Sequence, residues 1–174
     1  MKKLRFSLLS LAVAAALLLP ALPARAEGLE LTAPSAVLME ASTGRVLFEK
    51  DPHAVRSCAS ITKVMTLLLT FEAIEAGKVS LQDTVPVSDH AYNMGGSQIW
   101  LEPGETFTLD EMIKAICVSS ANDAAVAVAE FIGGSEPAFA ELMNQKAAEL
   151  GAKVVTLSGP DGYIHDPDGV TTPE

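Results

Sequence analysis

Two short constellations hold residue types that can do chemistry together. In Ser60-Ile61-Thr62-Lys63 a hydroxyl is followed three residues later by an ammonium, a spacing that puts both side chains on one helix face within hydrogen-bonding reach. Such a pair can serve as a nucleophile and its base. Ser60 alone is equally explained as an N-cap. That explanation leaves Lys63 unaccounted for, because a cation in the first turn opposes the helix dipole where a capping box would place Glu or Gln. Flanked by Val64 and Leu67, Lys63 is expected to be desolvated, and both effects lower its pKa toward that of a general base. A rule broken at one point of an otherwise consistent helix is where function is expected.

The second constellation is Ser120-Ala121-Asn122, in the turn between two expected helices. By itself it reads as loop and cap, since Ser, Asn and Asp favour such turns. Its chemical reading comes from pairing: a hydroxyl and an amide on a short interhelical turn can face a nucleophile on a neighbouring helix. His165, Asp166 and Asp168 in the tail invite a metal reading, but three scattered histidines without a His-Glu-x-x-His pattern favour a solvated loop.

The elements that must position these groups follow from pattern. Ala36 to Met39 and Val46 to Phe48 flank turn residues Glu40 to Arg45, which predicts an antiparallel hairpin over 36–50. Ile61 to Ala76 is nearly continuous hydrophobe and ends at Gly77, which predicts a mostly buried helix. Thr108 and Glu111 form a capping box ahead of Met112, Ile113 and Ile116, so a second helix runs to about Ser119. A third spans about Asp123 to Ile132 before Gly133-Gly134. A fourth starts after Ser135-Glu136-Pro137 and ends at Gly151. Residues 80–105 read as a loop-rich stretch, and the tail from Ser158 to Glu174 reads as loop.

The N-terminus has the layout of a secretory signal: Lys2, Lys3 and Arg5, an apolar run from Phe6 to Leu19, and a small-x-small site at Ala24-Arg25-Ala26. The run is too short to span a membrane. Cleavage after Ala26 leaves 148 of the 174 residues, and losing the signal's four cations takes the formal charge from −10 to −14. The domain is then 27–174, located outside the cytoplasm. Strong acidity with scattered cations argues against nucleic acid or an anionic membrane surface as partner. Only Cys58 and Cys117 are present, which excludes a disulfide-dense scaffold. They read as two small buried hydrophobes, with a single bridge as the other possibility.

Taken in order, Cys58 to Thr66, Gly95 to Glu105 and Ser119 to Ala124 resemble the corresponding segments of the serine-type D-alanyl-D-alanine carboxypeptidases, the low-molecular-weight penicillin-binding proteins. The likeness covers roughly residues 33–152. It implies an α/β chain of the β-lactamase/transpeptidase-like fold, with the N-terminal hairpin of the antiparallel sheet and the helical lobe present and the sheet incomplete. It also implies acyl transfer on Ser60, with Lys63 as base, Ser120 relaying a proton to the leaving group and Asn122 binding the substrate backbone. The implied partners are a peptidoglycan stem peptide ending in D-Ala-D-Ala and β-lactams; no cofactor or metal is implied, and a membrane anchor is not expected within this chain.

The family's third motif, Lys-Thr-Gly, is absent: Ser42-Thr43-Gly44 and Leu157-Ser158-Gly159 both lack the preceding cation. In the family that motif supplies an oxyanion-hole donor, and losing one such donor costs about 10²- to 10³-fold in rate. The expectation is a partial family member, either a piece of a longer sequence or a chain of reduced activity. A class A β-lactamase shares the first two motifs but should carry a deacylating Glu beyond the second, and none stands around Thr156 to Gly162. A non-catalytic envelope module of the same fold is the alternative from another functional class.

Overall fold

The computed structural model describes residues 30–54, 56, 58–152, 159–161, 163–165 and 171–173. The chain forms two compact units, Met1–Ala54 and Val55–Glu174. The expected signal at 1–26 lies outside the described residues.

Within the first unit, β1 (Ala36–Met39) and β2 (Val46–Lys50) pair antiparallel with Leu38 opposite Phe48, and the register slips at Met39, which faces Val46. The turn is organised by Glu40. Its carboxylate accepts from the Ser42 amide and hydroxyl at 3.0 and 2.8 Å, from the Thr43 amide at 2.8 Å, and from the Thr43 hydroxyl. These bonds, that from the Thr43 hydroxyl foremost, hold its pKa down at about 2. Gly44 adopts φ 72°, a left-handed conformation that a residue without Cβ accepts at little cost. The antiparallel hairpin expected over 36–50 is therefore present.

In the second unit a 3₁₀ turn, Ala59–Thr62, runs directly into α1 (Lys63–Glu75). There follow β3 (Thr84–Pro86), a single-turn helix α2 (Asp89–Tyr92), β4 (Thr106–Thr108), and three longer helices. These are α3 (Leu109–Ser119), α4 (Asn122–Gly133) and α5 (Glu136–Glu149). The capping box forms as expected: Thr108 Oγ1 accepts from the Glu111 amide and the Glu111 carboxylate accepts from the Thr108 amide. Helix α4 is buried along its first eight residues, apolar nearly all round, and touches α1, α2, α3, α5 and β3. A helix without a polar face belongs at the centre. Around it lie Val85, Leu101, Leu109, Met112 and Ile116 on one side and Phe139 and Met143 on the other.

Three expectations need correction. Helix α1 is not mostly buried: its inward stripe is Lys63, Thr66, Thr70 and Ala73, while Val64 and Phe71 are 65% and 50% exposed. A segment that is hydrophobic on every side carries no pattern to say which side faces inward, and the polar residues at intervals of three and four mark it. The stretch 80–105 is loop-rich as expected, with only β3 and α2 in it, and β3 is defined by a distant partner: Thr84, Val85 and Pro86 pair with Thr108, Phe107 and Thr106. The tail is not all loop, since β5 (Tyr163–His165) pairs antiparallel with β6 (Thr171–Pro173). Finally, Cys58 and Cys117 are neither bridged nor buried; both are free and exposed.

Candidate active site

Ser60 sits inside the 3₁₀ turn and is not an N-cap: that position belongs to Cys58 for the turn and to Thr62 for α1, neither with a side-chain cap bond. The residue before it, Ala59, has φ 45°, an uncommon conformation for a residue with a Cβ. The turn is closed by a bond from the Ile61 amide to the Cys58 carbonyl at 3.0 Å. Because the turn continues into α1 without a break, Ser60 and Lys63 share a face, and Lys63 Nζ donates to Ser60 Oγ at 3.1 Å.

Lys63 is 4% exposed, and its ammonium is surrounded by oxygen acceptors. Besides Ser60 it donates to Asn122 Oδ1 at 2.6 Å and to the Asp161 carbonyl at 2.9 Å. An ammonium has three donors, and each has a partner. Burial pushes the Lys63 pKa below the ordinary lysine value, and the charge of Asp161 opposes the shift. The direction is the one expected from its apolar helix.

Asn122 opens α4 and is fully buried. Its Nδ2 donates to the Gly95 carbonyl at 2.7 Å, which fixes the amide so that Oδ1 faces Lys63. Its backbone amide donates to the Ser97 carbonyl at 2.7 Å. Next to it, the buried Asp123 carboxylate accepts from the amides of Ile99, Leu101 and Ala124 at 2.9 to 3.3 Å. Residues 95–101 are thus bolted to the start of α4. Between two of these bonds stands Trp100, 77% exposed and at φ 64°.

Ser120 is the C-cap of α3 in left-handed conformation, φ 53° and ψ 37°, half-buried, two residues before Asn122. The structure joins Ser60, Lys63 and Asn122 by hydrogen bonds, and Ser120 to them through the backbone at 121–122. Sequence reading missed the Asp161 carbonyl, since a main-chain acceptor leaves no trace in residue type, and it missed Asp123 as the acceptor that holds 99–101. Of the tail residues weighed as metal ligands, His165 lies in β5, and Asp166 and Asp168 lie outside the described residues. Among the described residues no cluster of three or more His, Cys, Asp or Glu side chains could hold a metal ion.

Comparison with known proteins decides the lineage. The family model described as D-alanyl-D-alanine carboxypeptidase, peptidase S11, matches residues 22–171. The chain belongs to this family. It is 51% identical over 134 residues to the D-alanyl-D-alanine carboxypeptidase DacF of Bacillus subtilis, covering 77% of this chain and 34% of the relative. Among solved structures, the carboxypeptidase DacD of Francisella tularensis superimposes with a TM-score of 0.81 at 34% identity, over 92% of this chain and 38% of that one. Penicillin-binding protein 5 of Haemophilus influenzae gives 0.74 at 30% identity, over 83% and 42%. The fold is accordingly the β-lactamase/transpeptidase-like one that the motifs implied, and the chain spans about a third of the length of the curated relatives it matches.

Proposed function

We propose that the protein acts as a serine D-alanyl-D-alanine carboxypeptidase on peptidoglycan stem peptides, outside the cytoplasm, with Ser60 as nucleophile. The observation that carries this reading is the 3.1 Å contact from a buried Lys63 Nζ to Ser60 Oγ. Once neutral, the amine keeps two N–H groups, which Asn122 Oδ1 and the Asp161 carbonyl can retain. Its lone pair then faces the Ser60 hydroxyl. Ser60 Oγ attacks the carbonyl between the two terminal D-alanines as Lys63 takes its proton, and the developing C–N cleavage returns a proton to the leaving D-alanine through Ser120. Water then hydrolyses the acyl-enzyme and frees Ser60. Asn122 retains one N–H and one lone pair beyond its two bonds, and being fully buried it meets a substrate amide only on a local opening of the site.

β-Lactams acylate the same serine in this reading, in keeping with the likeness to proteins named for penicillin binding. Residues 1–26 would direct export, and among the described residues no helix is long and apolar enough to cross a membrane. The test is free D-alanine released from a synthetic peptide ending in D-Ala-D-Ala. Release by the parent and none by Ser60→Ala supports the reading; no release by a folded parent overturns it. A class A-like β-lactamase would instead turn over penicillin quickly and leave the peptide intact.

A further inference from the structure

Helix α1 carries two buried threonines whose hydroxyls do different things. Thr70 Oγ1 donates to the Thr66 carbonyl at 2.8 Å, the local back-bond usual for threonine within a helix. Thr66 Oγ1 makes no such bond. It donates across 94 residues to the Pro160 carbonyl at 2.6 Å. Thr66 stands one turn after Lys63 on the same face, and Pro160 immediately precedes Asp161, whose carbonyl accepts from Lys63 Nζ. Two side chains of one helix face therefore grip two consecutive carbonyls of one chain segment. Thr66, Pro160 and Asp161 are all buried, so the Pro160 carbonyl has no water to fall back on.

We propose that Thr66 is a positioning residue for the Ser60 and Lys63 pair, holding the 159–161 segment so that the Asp161 carbonyl orients the lysine amine toward the serine. The proposal rests on the acyl-transfer reading above. Two oxygen acceptors are needed to fix the two N–H groups of a neutral amine. Asn122 is one, anchored by its own bond to Gly95, and the Asp161 carbonyl is the other, anchored through Thr66. Without the second anchor the amine turns, and its lone pair spends less time on the Ser60 proton. Binding of a ligand before the chemical step is untouched, because Thr66 is wholly buried.

The segment is also confined on its other side. A Cβ at Gly159 would stand 2.6 Å from Glu136 Oε1, and Glu136 is itself held by His90. In Gly159→Ala either the end of the Glu136 side chain or the segment has to give way.

The test is the rate of covalent adduct formation with benzylpenicillin, followed by intact mass at several concentrations so that initial binding and the acylation step separate. Thr66→Val should slow acylation by about tenfold or more, the scale on which sub-ångström misplacement acts, with initial binding within about twofold. Thr66→Ser restores the hydroxyl and should bring the rate back to within about threefold, while Thr70→Val, which removes only the local bond, should acylate like the parent. Thr66→Ala, which removes the hydroxyl without adding bulk, should slow acylation as Thr66→Val does, and it decides the matter should Thr66→Val fail to fold. A parent-like rate in Thr66→Val, no rescue by Thr66→Ser, or equal slowing in Thr70→Val would overturn the proposal. If the parent itself forms no adduct, the acyl-transfer reading fails. Titration of the Lys63 side chain by NMR then decides the positioning claim: a midpoint moved by Thr66→Val or Thr66→Ala upholds it, and an unmoved one overturns it.

Discussion

Lys63 Nζ lies 2.6 Å from Asn122 Oδ1, the shortest of its three contacts, between residues 59 positions apart. The first turn of one helix and the first residue of another thus meet at a single buried hydrogen bond. The Asn122 amide is held in its orientation by the Gly95 carbonyl, so its oxygen is permanently offered to the lysine.

A neutral oxygen at that position is consistent with a lysine whose pKa is depressed by burial; a charged one is not. In Asn122→Asp an opposite charge at hydrogen-bond distance favours the ammonium and raises the Lys63 pKa. Acylation needs the free amine, so the rise of acylation rate with pH should move to higher pH than in the parent. The pH profile of adduct formation checks this, and an unmoved or acid-shifted profile contradicts it. Stability has the same sign with pH. Lys63 binds its proton less well folded than unfolded, so the parent gains stability as pH rises from its depressed pKa toward the ordinary 10.5, and Lys63→Met should abolish that gain.

Asp123 accepts three backbone amides in a fully buried site, two of them flanking Trp100. Asp123→Ala leaves those donors without a charged acceptor and should cost about 2–4 kcal/mol in urea unfolding. Trp100 is the chain's single tryptophan, so the release of residues 99–101 should also appear as a change in native-state fluorescence. Destabilisation without a fluorescence change would separate the two roles.

Thr108→Ala removes the side-chain acceptor of the capping box at the start of α3. The expected loss is about 1 kcal/mol, with the acylation rate unchanged because the cap lies at the opposite end of α3 from Ser120. Equilibrium unfolding and adduct kinetics on one preparation check both halves. A slowed rate would mean that the helix transmits its N-terminal loosening to the site.

What could be read from residues alone follows the range of the interactions involved. The Ser60 and Lys63 pair, the Thr108 and Glu111 box and the turn around Glu40 all act within a few positions, and spacing makes them visible. Strands β3 and β4 exist through pairing across some twenty residues, as Val85 with Phe107, and nothing in either tripeptide marks it. The orientation of α1 was hidden because Val64 and Phe71 look as buriable as Met65 and Leu69, although the latter pair packs toward Phe139 and Met143. The Asp161 carbonyl was invisible because every residue has one. The exposure of Cys117 was masked by the habit of thiols to be buried.

The covalent step is tested most directly by exposing the chain to benzylpenicillin and mapping any adduct by peptide mass spectrometry, beside Ser60→Ala and Lys63→Met. The account predicts one adduct on Ser60 in the parent, none in Ser60→Ala, and a strongly slowed one in Lys63→Met. An adduct on another residue, or one formed equally fast without the lysine, would contradict it.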